Sequence, residues 1–111
     1  MDKKQINIGL FGFGTVGKGL YDVLKKIQPE NVSIVKVCVR NVAKHSAEAP
    51  ELEFTSNADD IFTDSRINFI VELIDDAEAA YGIVKRALQA KIPVVSGNKK
   101  MLARHLPELI Q

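Results

Sequence analysis

Between residues 5 and 27 an apolar, β-branched run passes into an amphipathic one through Gly12, Gly14 and Gly17, spaced Gly-x-Gly-x-x-Gly. No other feature restricts the fold as much. Gly12 lets the chain turn tightly at the end of a strand, Gly14 lets backbone approach a ligand with no Cβ in the way, and Gly17 lets the next helix pack closely on the strand. The first N–H groups of that helix have no partners within it, and they lie at the positive end of its dipole, so they favour a pyrophosphate. The context supports a dinucleotide-binding turn. Gln5–Phe11 reads as a strand, and in the helix Thr15–Ile27 the residues Val16, Leu20, Val23, Leu24 and Ile27 recur at helical spacing on one face.

Downstream, strands and helices keep alternating, which predicts a parallel sheet covered on both faces. Strand two is read as Val32–Arg40, after a turn through Pro29, Glu30 and Asn31. Asn41 to Pro50 is polar and reads as irregular, with a short third strand at Glu53–Thr55. Ser56 or Asn57 can cap a brief helix ending at Phe62. The fourth strand, Ile67–Leu73, is almost continuously apolar and is expected to be central. Helix Glu78–Ala90 carries a core-facing stripe of Ala80, Ile83, Val84, Ala87 and Leu88, and Pro93–Ser96 is a short fifth strand. From Asn98 the chain reads as helical again until Pro107 interrupts it near His105. Right-handed crossovers give a Rossmann-type, doubly wound α/β sheet of order 3-2-1-4-5, with a crevice above the carboxyl ends of strands one and four.

The 111 residues suffice for one domain, read as a dinucleotide-binding domain over 1–111, but are short for an enzyme that also holds a substrate. With 15 basic against 14 acidic residues, no charge excess points to nucleic acid or a membrane surface. No run approaches the about 20 apolar residues that span a bilayer, and Asp2-Lys3-Lys4 does not begin a signal peptide, so a cytoplasmic location is expected. Cys38 lies mid-strand as a structural thiol, and no cluster of Cys, His and carboxylates predicts a metal site.

The end of strand two separates two cofactors. NAD-binding units place an Asp or Glu there to hold the adenosine ribose, but this chain has Arg40, with Lys44 close behind. A guanidinium fork suits a 2′-phosphate, so NADP is the preferred cofactor and NAD the possible one. After strand five, Lys99 and Lys100 stand at a helix start, where cations oppose the dipole. A lysine there could bring its ammonium near a nicotinamide and a substrate carbonyl.

Gly9-Leu10-Phe11-Gly12-Phe13-Gly14-Thr15-Val16-Gly17, then Val71-Glu72-Leu73-Ile74, then Ala87-Leu88 with Val94-Val95-Ser96-Gly97-Asn98-Lys99, together resemble the amino-terminal cofactor domain of homoserine dehydrogenases. The resemblance covers nearly the whole chain, and Asn98-Lys99 after strand five is its specific part. It implies an oxidoreductase that interconverts aspartate β-semialdehyde and homoserine with NADPH or NADH, on the route to threonine, isoleucine and methionine. By that resemblance Gly12, Phe13, Gly14, Thr15, Val16, Gly17 and Asn98 belong to the cofactor site, and Arg40 meets the 2′-phosphate. Lys99 is then both a cofactor contact and one of two lysines at the reaction centre. The other lysine and the acidic substrate-binding residues belong to a later domain of the family, which also forms a homodimer. The 111 residues are therefore expected to be an inactive fragment of a longer enzyme.

Besides its length, one feature sets the chain apart. Where the family continues strand four with Gly-Gly-(Thr/Ile)-Glu-Pro-Ala, this chain has Asp75-Asp76-Ala77-Glu78-Ala79-Ala80, putting carboxylates beside the expected nicotinamide ribose. Glu72 is a costly charge within a buried strand unless it is paired, and it is read as structural or ribose-contacting rather than as a base. His45 and His105 read as surface or helix-end residues. An oxidoreductase of the glucose-fructose type is one alternative, but would carry Glu-Lys-Pro in place of Gly97-Asn98-Lys99-Lys100. A nucleotide-sensing module like those of potassium channels is another, but would end strand two on an acidic residue.

Overall fold

The computed structural model describes residues 4–98. Five parallel strands, β1 (Ile6–Phe11), β2 (Val32–Cys38), β3 (Phe54–Thr55), β4 (Phe69–Glu72) and β5 (Val94–Ser96), form one sheet in the order 3-2-1-4-5. That is the order expected from right-handed crossovers. Helices α1 (Thr15–Ile27) and α2 (Val42–Glu48) cover one face, and α3 (Ala58–Phe62) and α4 (Ala77–Gln89) the other.

Alternation along β1 builds both layers of the core. Ile8 and Leu10 pack with Val37, Val39 and Val71 under α1 and α2. Phe11 joins Ile61, Ile67, Ile70 and Ala87 under α3 and α4. Gly9, between them, is a contact point: a Cβ there would lie 2.6 Å from the Ile61 Cγ2.

The β1–β2 register slips once. Ile8 faces Ile34 but Gly9 faces Lys36, so β2 carries one extra residue, Val35. This bulge resets the alternation of β2, and Ile34 and Val37, three apart, both pack in the first cluster while Val35 and Cys38 pack in the second. Lys36 then reaches the α3 side, where its ammonium meets Asp64 and Glu53 at 3.1 Å each. Arg66 clamps the same Asp64 carboxylate, its Nε donating to Oδ1 at 2.9 Å and its Nη2 to Oδ2 at 2.6 Å.

Four expectations need correction. Residues 42–48 form a helix, not an irregular stretch: the Asn41 side chain accepts the Lys44 N–H at 3.1 Å, and buried Ala49 anchors the far end. The helix α1 is rotated from its predicted face. Gly17 is buried, and Leu20, Tyr21 and Leu24 pack on the core, while Val16, Val23 and Ile27 are 51–67% exposed. Close contact at Gly17 sets that rotation, since a Cβ there would meet the Gly12 carbonyl oxygen at 2.7 Å. Leu88 is likewise exposed, because Ala80, Val84 and Ala87 fill the buried stripe of α4. Strand β2 ends at Cys38, two residues short of Arg40.

Candidate functional site

The carboxyl ends of β1, β2 and β4 open on a cleft of about 810 Å³. It lies where α1 leaves one face of the sheet and α4 the other, the switch point at which sheets of this kind take ligands. Its floor is the glycine turn. Gly12 has φ +96°, a conformation few side chains tolerate, and a Cβ there would sit 2.8 Å from the Leu73 carbonyl oxygen. Gly14 differs: its φ of −81° suits any residue, and a Cβ would meet nothing within 4 Å. The chain thus leaves open the side of Gly14 that a ligand's phosphates would need.

Electrostatics separate the two helix starts at the cleft. At α1, no side chain caps the first N–H groups and no acidic residue stands in the first turn. At α4, Asp76 accepts from the Glu78 and Ala79 N–H groups at 2.9 and 3.0 Å, and Glu78 adds another carboxylate. An anion is therefore favoured at α1 and opposed at α4. Asp76 thereby caps α4, while exposed Asp75 lines the cleft and offers acceptors to hydroxyl groups.

Opposite the glycine turn, Arg40, Asn41 and Lys44 line the cleft, with both cations exposed. Because Asn41 starts α2, Lys44 and His45 sit on its first turns at this rim. The His45 Nδ1 lies 2.8 Å from the Glu48 Oε1, and its ring meets Phe13 edge-on and stacks on Phe54. Lys18 also pairs with Glu48, and it more than His45 holds that carboxyl below its ordinary range. Cys38 lines the cleft from the end of β2, and burial pushes its thiol up.

The residues singled out in the sequence fall into three groups. Gly12, Phe13, Gly14, Thr15, Val16 and Arg40 line the cleft, although the Phe13 ring is largely buried against Tyr21, His45 and Phe54. Gly17 and Asn98 are buried and lie behind it. Lys99, with Lys100, His105 and the Pro107 break, lies outside the described residues. Sequence reading missed His45 and Ser56 as cleft residues. For His45 the missed signal was Asn41, an N-cap residue placed just before Val42.

Among the described residues no helix is long and apolar enough to cross a membrane, and no three His, Cys, Asp or Glu side chains cluster as metal ligands would.

Comparison with known proteins adds three findings. The family profile described as homoserine dehydrogenase, NAD binding domain, matches residues 12–111. The homoserine dehydrogenase of Helicobacter pylori is 34% identical across 98% of this chain and 27% of its own length, and that of Lactococcus lactis 35% across 94% and 27%. The crystal structure of a homoserine dehydrogenase from Thiobacillus denitrificans superposes with a TM-score of 0.85 at 36% identity, covering 96% of this chain and 26% of that one. The chain thus spans about a quarter of the length of these relatives.

Proposed function

Because the chain belongs to the homoserine dehydrogenase family, in its NAD-binding part, we propose that residues 1–111 are the dinucleotide-holding domain of a longer enzyme that interconverts homoserine and aspartate β-semialdehyde. One observation carries the cofactor assignment: the uncapped start of α1, with its N–H groups free of acidic neighbours, beside the open side of Gly14. A pyrophosphate fits there, held by the backbone from Gly12 to Val16.

The cofactor is NADP in preference to NAD. Arg40 and Lys44 stand where the adenosine ribose would lie, and two cations with no carboxylate at the strand end favour a 2′-phosphate over bare hydroxyls. When bound, the dinucleotide supplies the hydride chemistry. The residues of this chain bind and orient it: Thr15 and Val16 border the helix start, Asp75 and Asp76 border the nicotinamide half, and Asn98 is fixed behind them. Lys99 follows Asn98 directly, and its role is to stabilise charge on the substrate oxygen or relay a proton to it. Substrate-binding residues, and the dimer contact, belong to the rest of the longer enzyme, and its location is cytoplasmic.

Calorimetric titration with NADPH and NADH tests this reading. NADPH is expected to bind more tightly, and Arg40→Ala to lower its affinity about tenfold or more, the cost of one charge-assisted contact, while changing NADH less than about twofold. Equal losses for both cofactors would remove Arg40 from the 2′-phosphate. The chain alone is expected not to oxidise homoserine.

A further inference from the structure

Glu72 is fully buried at the end of β4, yet it does not line the cleft. Its carboxylate is held in a closed circuit of hydrogen bonds. The Oε2 accepts the Ile74 N–H at 2.6 Å, and the Oε1 accepts the Ser96 hydroxyl at 2.5 Å. Ser96 Oγ in turn accepts the Asn98 N–H at 3.2 Å, and the Asn98 Nδ2 donates to the Ile74 carbonyl at 2.7 Å and the Asp75 carbonyl at 3.3 Å. The ring closes on Ile74, whose N–H donates to Glu72 and whose carbonyl accepts from the Asn98 Nδ2.

The circuit joins two segments that no regular pairing connects. Ladder bonds end with Glu72 opposite Ser96, and the Gly97 N–H still reaches the Glu72 carbonyl at 2.9 Å. Beyond that, side-chain hydrogen bonds from Glu72, Ser96 and Asn98 tie the turn Leu73–Asp76 to the chain at Asn98. Packing there is equally tight, since a Cβ on Gly97 would lie 2.8 Å from the Leu73 Cδ2. Leu73, Ile74, Asp75 and Asp76 line the cleft on the side away from Arg40. Burying a carboxylate costs several kcal/mol unless it is fully hydrogen-bonded, and a hydrophobic residue would fill the same space at less risk. A fully satisfied polar circuit fixes one geometry where apolar packing would allow several.

We propose that Glu72 is a positioning residue for the nicotinamide end of the cleft: through Ser96 and Asn98 it locks the Leu73–Asp76 rim to the segment that leads into Lys99. It touches no cofactor atom and does not carry a proton in the reaction. This assignment rests on the dinucleotide reading above, in which that rim borders the nicotinamide ribose.

The test compares NADPH with 2′-phospho-ADP, which lacks both the nicotinamide and its ribose, by calorimetric titration of the chain and of two variants close in size, Ser96→Ala and Glu72→Gln. Ser96→Ala breaks the circuit without disturbing the Glu72 bond to Ile74. Glu72→Gln leaves an acceptor for the Ile74 N–H but turns an amide donor on the Ser96 Oγ, which already accepts the Asn98 N–H, and leaves the Ser96 hydroxyl hydrogen without its acceptor. Wild type is expected to bind NADPH more tightly than 2′-phospho-ADP. In both variants NADPH affinity is expected to fall about tenfold, the worth of one well-made hydrogen bond, and to approach that of 2′-phospho-ADP, which itself changes less than about twofold. Circular dichroism and thermal unfolding establish that each variant is folded. Parallel weakening of both ligands would make Glu72 a general structural residue and overturn the proposal. So would unchanged binding of both in folded variants, or equal affinity for the two in wild type. If wild type bound neither, the dinucleotide reading would fall, and this proposal with it.

Discussion

Gly12 and Gly14 stand two residues apart in one turn, yet the structure gives them opposite consequences on substitution. At Gly14, valine enters open space with an ordinary φ, and the stability loss is confined to a poorer helix cap, at most about 1 kcal/mol. At Gly12, even alanine meets two costs. A side chain at φ +96° is strained by about 1–3 kcal/mol, and contact at 2.8 Å with the Leu73 carbonyl, which is backbone and cannot swing away, adds about 1–3 kcal/mol. For a domain of this size each kcal/mol moves the Tm by about 4–8 °C. Gly14→Val is therefore expected to lower the Tm by about 8 °C at most and Gly12→Ala by about 8 °C or more. Binding reverses the order of interest. Valine at Gly14 fills the space left for pyrophosphate, and losing two charge-assisted hydrogen bonds there costs about 3 kcal/mol or more, at least about a hundredfold in NADPH affinity. Thermal unfolding by circular dichroism, with titration of NADPH at a temperature where both variants are folded, separates the two effects. A folded Gly14→Val chain that kept wild-type affinity would refute the pyrophosphate cradle. A Gly12→Ala chain as stable as Gly14→Val would refute the steric reasoning.

Acid stability should depend on Asp64. Arg66 more than Lys36 holds its carboxyl well below the ordinary 3.8, so the stability it contributes is present above about pH 4 and is lost as the pH falls toward its native value; urea midpoints measured from pH 7 downward should fall less steeply below pH 4 in Asp64→Asn than in wild type. Gly9→Ala drives a methyl group into Ile61 and is expected to cost about 1–3 kcal/mol by urea unfolding, with NADPH affinity unchanged. In the longer enzyme, Lys99→Ala is expected to lower kcat about 10²–10⁴-fold with cofactor affinity nearly intact, and steady-state rates of Lys100→Ala supply the control; damage at Lys100 alone would shift the assigned register by one.

How legible the fold was depended on where local and long-range signals agreed. The sheet order followed from alternation of strands and helices with right-handed crossovers, and β1, α1 and the glycine turn from one short stretch of sequence. The rotation of α1 did not, because apolar spacing weighed Val16, Val23 and Ile27 as core, whereas contact between Gly17 and the Gly12 carbonyl decides which side faces the sheet. Residues 42–48 lack an apolar stripe, so only the Asn41 cap marked α2, and with it the placement of His45 at the cleft. Glu72 was read correctly as costly unless paired, but its partners are Ile74 and, 24 residues on, Ser96, a pairing that only the parallel register of β4 and β5 creates.

The bulge at Val35 bears on any attempt to re-engineer cofactor choice. It sets the phase in which β2 delivers Cys38, Val39 and Arg40 to the top of the sheet, with Val39 buried in the core and Arg40 at the cleft. In an unbulged strand, residues at the same distance from the strand start would arrive on the opposite faces. Transplanting a strand end from an NAD-selective protein must therefore be aligned from the carboxyl end backwards, on Val37 and Val39, rather than counted forward from Val32. Deleting one residue near Val35 would exchange the inward and outward positions of everything before it, while a change confined to residues 40 and 41 leaves the phase untouched.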